Sequence, residues 1–159
     1  MRMTWLVFAL MTVSSWGLYG VFLHKGQDAM KVSEMDPDAR YKAFLFVGLA
    51  YLLTAVIGSA IMLVVNGAEW QFAGKGVRWS TLAGLVGAIG AFCVLLAFGA
   101  GGRPAVVMSI IFAGAPIVNA VVAFGMHPPQ GGFSTLDWRF LLGIVLAAMG
   151  GCLVSLFRP

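Results

Sequence analysis

The fold of this chain is decided by the stretch from Trp79 to Phe124, WSTLAGLVGAIGAFCVLLAFGAGGRPAVVMSIIFAGAPIVNAVVAF. Two apolar segments without a charged residue meet there at a short break, Gly101-Gly102-Arg103-Pro104. Each segment has about 20 residues, and a helix of that length spans about 30 Å, the thickness of the hydrocarbon core of a bilayer. The stretch therefore predicts a hairpin of two membrane-spanning helices.

The composition of the whole chain indicates the same environment. Of the 159 residues, 60% are hydrophobic and 10% are charged, whereas a globular domain has about 45–50% apolar and about 25% charged residues. The net charge of +4 comes from basic residues between the apolar segments, without the basic patch of a nucleic-acid site. We predict a multi-pass integral membrane protein, placed in the plasma (inner) membrane if the source is bacterial, with the lipid bilayer and not a nucleic acid as partner.

The remaining apolar segments extend the hairpin to an all-α membrane protein of five transmembrane helices in a single domain, residues 1–159. The helices are expected at about 4–23, 43–65, 80–99, 104–124 and 135–157. Gly101 suits the C-terminus of the third helix and Pro104 suits the first turn of the fourth. The sequence Ser134-Thr135-Leu136-Asp137 resembles a capping box that opens the fifth.

Small residues mark the faces on which these helices are expected to pack. Lipid tails are as apolar as leucine, so close backbone approach and hydrogen bonds must hold membrane helices together. We interpret two small-xxx-small faces as packing surfaces: Ala83, Gly87 and Ala91 on the third helix, and Gly143, Ala147 and Gly151 on the fifth.

Polar residues within the apolar segments suggest a binding site. In the first helix they recur at spacings of three and four, which places them on one face; in the fourth, a proline frees a backbone carbonyl next to polar side chains. These groups either bond neighbouring helices or line a cavity. The candidate substrate-binding residues are Thr12, Ser15, Trp16, Tyr19, Tyr51, Ser109, Pro116 and Asn119.

The sequence contains no pattern that indicates catalysis. No Asp, Glu, Lys or Arg lies deep inside a predicted span, and no nucleophile–base set, metal-ligand spacing or phosphate loop is recognisable. We therefore predict no enzyme, no cofactor and no metal site. Cys93 and Cys152 lie in apolar segments and are interpreted as small buried side chains.

Three motifs carry a resemblance to a known family: Trp16-Gly17 in the first helix, the hairpin from Gly87 to Phe124 with Pro116, and the closing segment LLGIVLAAMGGCLVSLF. Together they resemble one repeat of the EamA-like transporters of the drug/metabolite transporter superfamily. The resemblance implies that helices 1 to 4 surround a substrate cavity. Family members commonly carry two such repeats in opposite orientations, so a second copy or a partner subunit would supply the other half.

The expected function follows from this resemblance and from two positions at which the sequence differs from the family pattern. Met126-His127-Pro128-Pro129 stands where many members have a glutamate, and Ser14-Ser15 stands where the small-multidrug-resistance proteins have one. A neutral or weakly polar metabolite is therefore a better expectation than a cationic drug. We expect a half-size small-molecule transporter that works as a homodimer by alternating access; the alternative is a structural or assembly subunit of a membrane complex.

Overall fold

A computed structural model describes residues 3–33, 36–129, 131–132 and 135–157. These described residues form five long helices and no strand. The helices are α1 (Thr4–Ala29), α2 (Ala39–Val65), α3 (Gly74–Gly99), α4 (Pro104–Met126) and α5 (Trp138–Leu156). Each is long and apolar enough to cross a membrane, which confirms the predicted all-α class with five such spans.

Several helices extend further than predicted, at ends that carry polar residues. The first continues past Leu23 to Ala29, the second begins at Ala39 instead of about residue 43, and the third begins at Gly74 instead of about residue 80. Gln, Lys and Arg are good helix formers. Hydropathy therefore marks where the chain leaves the apolar layer, whereas the backbone hydrogen bonds continue beyond that point.

The break between α3 and α4 has the predicted chemistry. Gly101 adopts a φ of +88°, the left-handed conformation that glycine tolerates best, and Pro104 occupies the first turn of α4. The fifth helix begins later than predicted, at Trp138. Its N-terminal cap is Asp137, whose carboxylate accepts a hydrogen bond of 2.9 Å from the backbone nitrogen of Arg139; Ser134 of the predicted capping box lies outside the described residues.

One helix is irregular along its length. In α2 the segments Ala39–Tyr51 and Gly58–Val65 are α-helical, and Leu52–Ile57 between them is π-helical. The candidate residue Tyr51 is therefore the last residue before the change of helix type. A wider turn of this kind is rare and occurs often at functional sites.

By its internal contacts the chain divides into two compact units, Met1–Gly101 and Gly102–Pro159. In the first unit, which contains α1 to α3, the buried residues are confined to one end of the helices. They are Gly20, Leu23 and Gln27 of α1, Ala39 and Ala43 of α2, and Ala91, Val94, Leu95 and Phe98 of α3. The three helices therefore pack where α1 ends and α2 begins, and the larger part of each is left exposed.

The second unit is the hairpin of α4 and α5. Gly151 is buried at their contact, where a Cβ atom would collide with Cβ of Ala113 and lie 3.2 Å from the carbonyl oxygen of Ser109. Only a residue without a side chain allows this approach of the two backbones. The interpretation of Cys93 and Cys152 as buried is wrong: both are free and exposed, because an apolar helix in lipid also has apolar positions that face outward.

Candidate functional site

The polar stripe of α1 divides into two parts with different environments. Thr12 is exposed, and its hydroxyl donates a hydrogen bond of 2.9 Å to the carbonyl oxygen of Phe8 in the same helix. Ser15 and Tyr19 instead line a groove between α1 and α2 with a volume of about 550 Å³. The structure therefore brings Ser15 and Tyr19 together and leaves Thr12 outside the groove.

The α1–α2 groove is apolar apart from these two hydroxyls. Its other lining residues are Leu18, Phe22, Leu23, Gly26, Met30, Ala43, Phe46, Val47 and Ala50. The hydroxyl of Tyr19 is buried and has no hydrogen-bond partner among the described residues. Its ring centroid lies 5.4 Å from that of Trp16. In an apolar layer a hydroxyl without a partner is unfavourable, so Tyr19 is the residue of this groove whose polar atom still requires one.

The candidate residues of α4 lie in the second unit. Ser109 donates a hydrogen bond of 2.6 Å to the carbonyl oxygen of Ala105, within its own helix. Pro116 lies inside α4, which continues through it to Met126. Asn119 is exposed, and no hydrogen bond joins its side chain to another described residue. Of the three, only Asn119 keeps its polar atoms available.

The predicted packing residues also differ in their surroundings. Ala91 is buried among α1 to α3, and Gly151 is buried at the α4–α5 contact. A Cβ atom added to Gly87 or Gly143 would find no heavy atom within 4 Å, and Ala83 and Ala147 are exposed. On each of the two helices, one residue of the small-residue face therefore packs against another helix, and the other two residues do not.

A second site lies where the sequence predicted only a loop. At the packed end of the first unit, a cavity of about 510 Å³, called the polar cavity below, is lined by residues from the end of α1, the following loop, the start of α2 and the end of α3. Gln27 lines it, is only 5% exposed, and donates a hydrogen bond of 3.3 Å to the carbonyl oxygen of Leu95. Its spacing from Gly20 and Leu23, which are also buried, is a helical signal that could have identified it.

Two carboxylates of the polar cavity are neutralised by lysines. Asp28 accepts a hydrogen bond of 2.6 Å from Lys31, and Asp36 accepts one of 2.8 Å from Lys42. The hydrogen bond from Lys42, together with those from the backbone nitrogens of Asp38 and Val32, lowers the pKa of Asp36 to about 2. Both carboxylates are therefore ionised and paired at neutral pH.

Arg40 is the remaining arginine or lysine of this lining, and its side chain makes two contacts close to it in the chain. Its Nε donates a hydrogen bond of 3.0 Å to the carbonyl oxygen of Pro37, and its Cζ lies 5.2 Å from the ring centroid of Tyr41. Among the described residues no carboxylate lies within ion-pair distance of its guanidinium group. Arg40 can therefore offer its terminal N–H groups to a ligand in the polar cavity.

No family model, curated protein or solved structure matches the chain. The resemblance to the EamA-like transporters stays a prediction from the sequence motifs. Among the described residues no group of three or more His, Cys, Asp or Glu side chains could hold a metal ion.

Proposed function

We propose that this chain is a half-size membrane transporter for a neutral or weakly polar small molecule. The proposal starts from the five helices, each of which is long and apolar enough to span a membrane. The observation that carries the proposal is that Tyr19 lines the α1–α2 groove and that its buried hydroxyl has no partner among the described residues. Unpaired polar atoms inside a membrane-spanning segment are unfavourable, so they are often retained for a substrate.

The chemistry of the α1–α2 groove indicates the substrate class. No charged side chain lines it, and its volume of about 550 Å³ lies within the range of small-molecule sites, about 300–1,000 Å³. Apolar walls with one or two hydroxyls favour a molecule that is mostly uncharged and makes one or two hydrogen bonds. An ionic substrate would lack a counter-ion there.

A paired arrangement of two copies fits the exposure of the helices. No residue is buried in the apolar 18-residue stretch by which α2 qualifies as a membrane span. Asn119 of α4 is also exposed. An amide in hydrocarbon requires a partner, and a second copy is a source of one. Two halves in opposite orientations are a common basis of alternating access.

Transport by purified protein in lipid vesicles tests the proposal. Vesicles are incubated with a defined mixture of sugars, amino acids and nucleosides, and the contents are measured by mass spectrometry. Tyr19→Phe removes only the hydroxyl and should reduce uptake by about three- to tenfold, the equivalent of one neutral hydrogen bond. Ser14→Ala is the matched control, because Ser14 donates its hydrogen bond to Leu10 of the same helix. Equal uptake by wild type and Tyr19→Phe would contradict the role of the groove, and no uptake above protein-free vesicles would contradict transport.

A structural or assembly subunit is the second candidate. It is favoured by Gly84, Gly87 and Gly90 of α3, where added Cβ atoms would meet nothing within 4 Å, because open small-residue faces are typical docking surfaces of membrane helices. Under this alternative Gly87→Leu should reduce the mass of the detergent-solubilised particle, whereas Val86→Leu on the same helix should not. Unchanged mass for Gly87→Leu, together with Tyr19-dependent uptake, would reject it.

A further inference from the structure

We propose that the polar cavity binds an anion of the phosphate type, supplied either by the headgroup of a phospholipid or by a free phosphate. This site is separate from the α1–α2 groove and does not depend on transport. The residues that would hold the anion are Arg40 and Gln27, with Lys31 nearby on the cavity lining.

Arg40 is already oriented for such a ligand. Its Nε donates to the carbonyl oxygen of Pro37, and its guanidinium group lies over the ring of Tyr41. No acceptor among the described residues takes a hydrogen bond from its terminal nitrogens. A planar guanidinium with free N–H groups matches two oxygens of a phosphate. These two contacts already restrict the side chain, so less of its conformational entropy is lost when the anion arrives.

The balance of charges favours an anion over a cation. Asp28 is paired with Lys31, and Asp36 is paired with Lys42. Asp38, the next acidic residue along the chain, is not part of the lining. Arg40 therefore leaves one positive charge without a carboxylate among the described residues, and a phosphate would neutralise it.

Gln27 adds a neutral donor at the bottom of the cavity. One N–H of its carboxamide donates to the carbonyl oxygen of Leu95, which fixes the side chain and leaves the second N–H for a ligand. The residue is only 5% exposed, so a hydrogen bond from it would be shielded from water. This depth distinguishes the cavity from a surface patch of lysines.

The position of the cavity suggests the source of the anion. It lies where α1 ends and α2 begins, which is the level at which membrane helices leave the hydrocarbon layer and meet lipid headgroups. Its volume of about 510 Å³ accommodates a phosphate with part of a headgroup. A lipid phosphate would reach it without leaving the bilayer.

Gly99 of α3 provides a way to move Arg40 without removing its charge. A Cβ atom on Gly99 would lie 2.7 Å from Nη1 of Arg40. Since that nitrogen is the end of a flexible side chain, Gly99→Ala should displace the guanidinium group and leave the helix intact. The matched control is Gly84→Ala on the same helix, where an added Cβ atom meets nothing within 4 Å.

The experiment is calorimetric titration of the detergent-solubilised full chain with three probes: dihexanoyl phosphatidylglycerol, dihexanoyl phosphatidylcholine and inorganic phosphate. We expect saturable binding of phosphatidylglycerol, with affinity lowered about tenfold or more by Arg40→Gln and by Gly99→Ala, as for loss of a charged hydrogen bond. Arg78→Gln, which removes an equal charge from an exposed arginine of α3, and Gly84→Ala should bind like wild type. Tighter binding of phosphatidylglycerol than of inorganic phosphate identifies the lipid as the source, and the reverse identifies the free anion.

Three outcomes would overturn the proposal. The first is the absence of saturable binding of either anionic probe. The second is an equal loss in Arg78→Gln and Arg40→Gln, which would indicate general attraction to positive charge. The third is binding of phosphatidylglycerol by Gly99→Ala that equals wild type. This variant keeps the charge of Arg40, so it tests the site even if Arg40→Gln does not fold. Failure here leaves the uptake dependent on Tyr19 untouched, so the two proposals fail separately.

Discussion

The contact between α4 and α5 gives a quantitative prediction for Gly151→Ala. The added Cβ atom would collide with Cβ of Ala113 and lie 3.2 Å from the carbonyl oxygen of Ser109, and the backbone atoms involved cannot move independently of their helices. Forcing an extra methyl group into a packed contact costs about 1–3 kcal/mol. The hairpin of α4 and α5 should become less stable by about that amount.

The neighbouring Gly150 isolates this packing cost. An added Cβ atom there meets nothing within 4 Å, so Gly150→Ala changes only helix propensity, which favours alanine by about 0.8–1.0 kcal/mol. The same propensity gain occurs in Gly151→Ala and cancels in the comparison. The difference in unfolding free energy between the two variants should therefore equal the packing cost, about 1–3 kcal/mol.

The measurement is the free energy of unfolding of the detergent-solubilised protein, titrated with dodecyl sulfate and followed by tryptophan fluorescence. Ala113→Gly removes the atom with which the new methyl group collides, so combining it with Gly151→Ala should recover part of the loss. The coupling energy between the two substitutions should then reach about 0.5 kcal/mol or more. Equal stability of Gly151→Ala and Gly150→Ala, or no coupling with Ala113→Gly, would refute the close approach of the two helices.

Three further predictions concern the first unit. Gln27→Leu should lower the unfolding free energy by about 0.5–1.5 kcal/mol, through loss of the hydrogen bond to Leu95; thermal unfolding measures this, and an unchanged midpoint would contradict it. The pKa of Asp36 is lowered to about 2 from an ordinary 3.8, so its ion pair with Lys42 stabilises the fold above pH about 4 and is lost as the pH falls towards 2. Asp36→Asn should lack this part of the acid dependence, and identical pH curves for the two proteins would refute the pairing. Gly101→Ala should cost about 1–2 kcal/mol because its φ is +88°, whereas Gly101→Asn should cost less; equal stability of all three proteins would contradict the left-handed conformation.

The amino-acid sequence by itself determined the number and type of the helices. A run of about 20 apolar residues can satisfy its backbone hydrogen bonds in hydrocarbon only as a helix, so the segments around the break at Gly101 and Pro104 needed no tertiary information. The break itself was readable because glycine and proline have backbone preferences of their own. The first and last residues of the helices were harder to predict, because polar residues such as Gln27 interrupt the apolar pattern but still belong to the helix.

Only the tertiary structure decided which of several equivalent patterns is used. Gly143 and Gly151 are indistinguishable in sequence, yet only Gly151 meets another helix. The same holds for Ser15 and Thr12, of which one lines a groove and the other bonds its own backbone. The polar cavity combines Gln27, Arg40 and Gly99, which come from three different helices. Local periodicity specifies the face of a helix, but contact between helices depends on which faces meet in space, and that is a property of the packed chain.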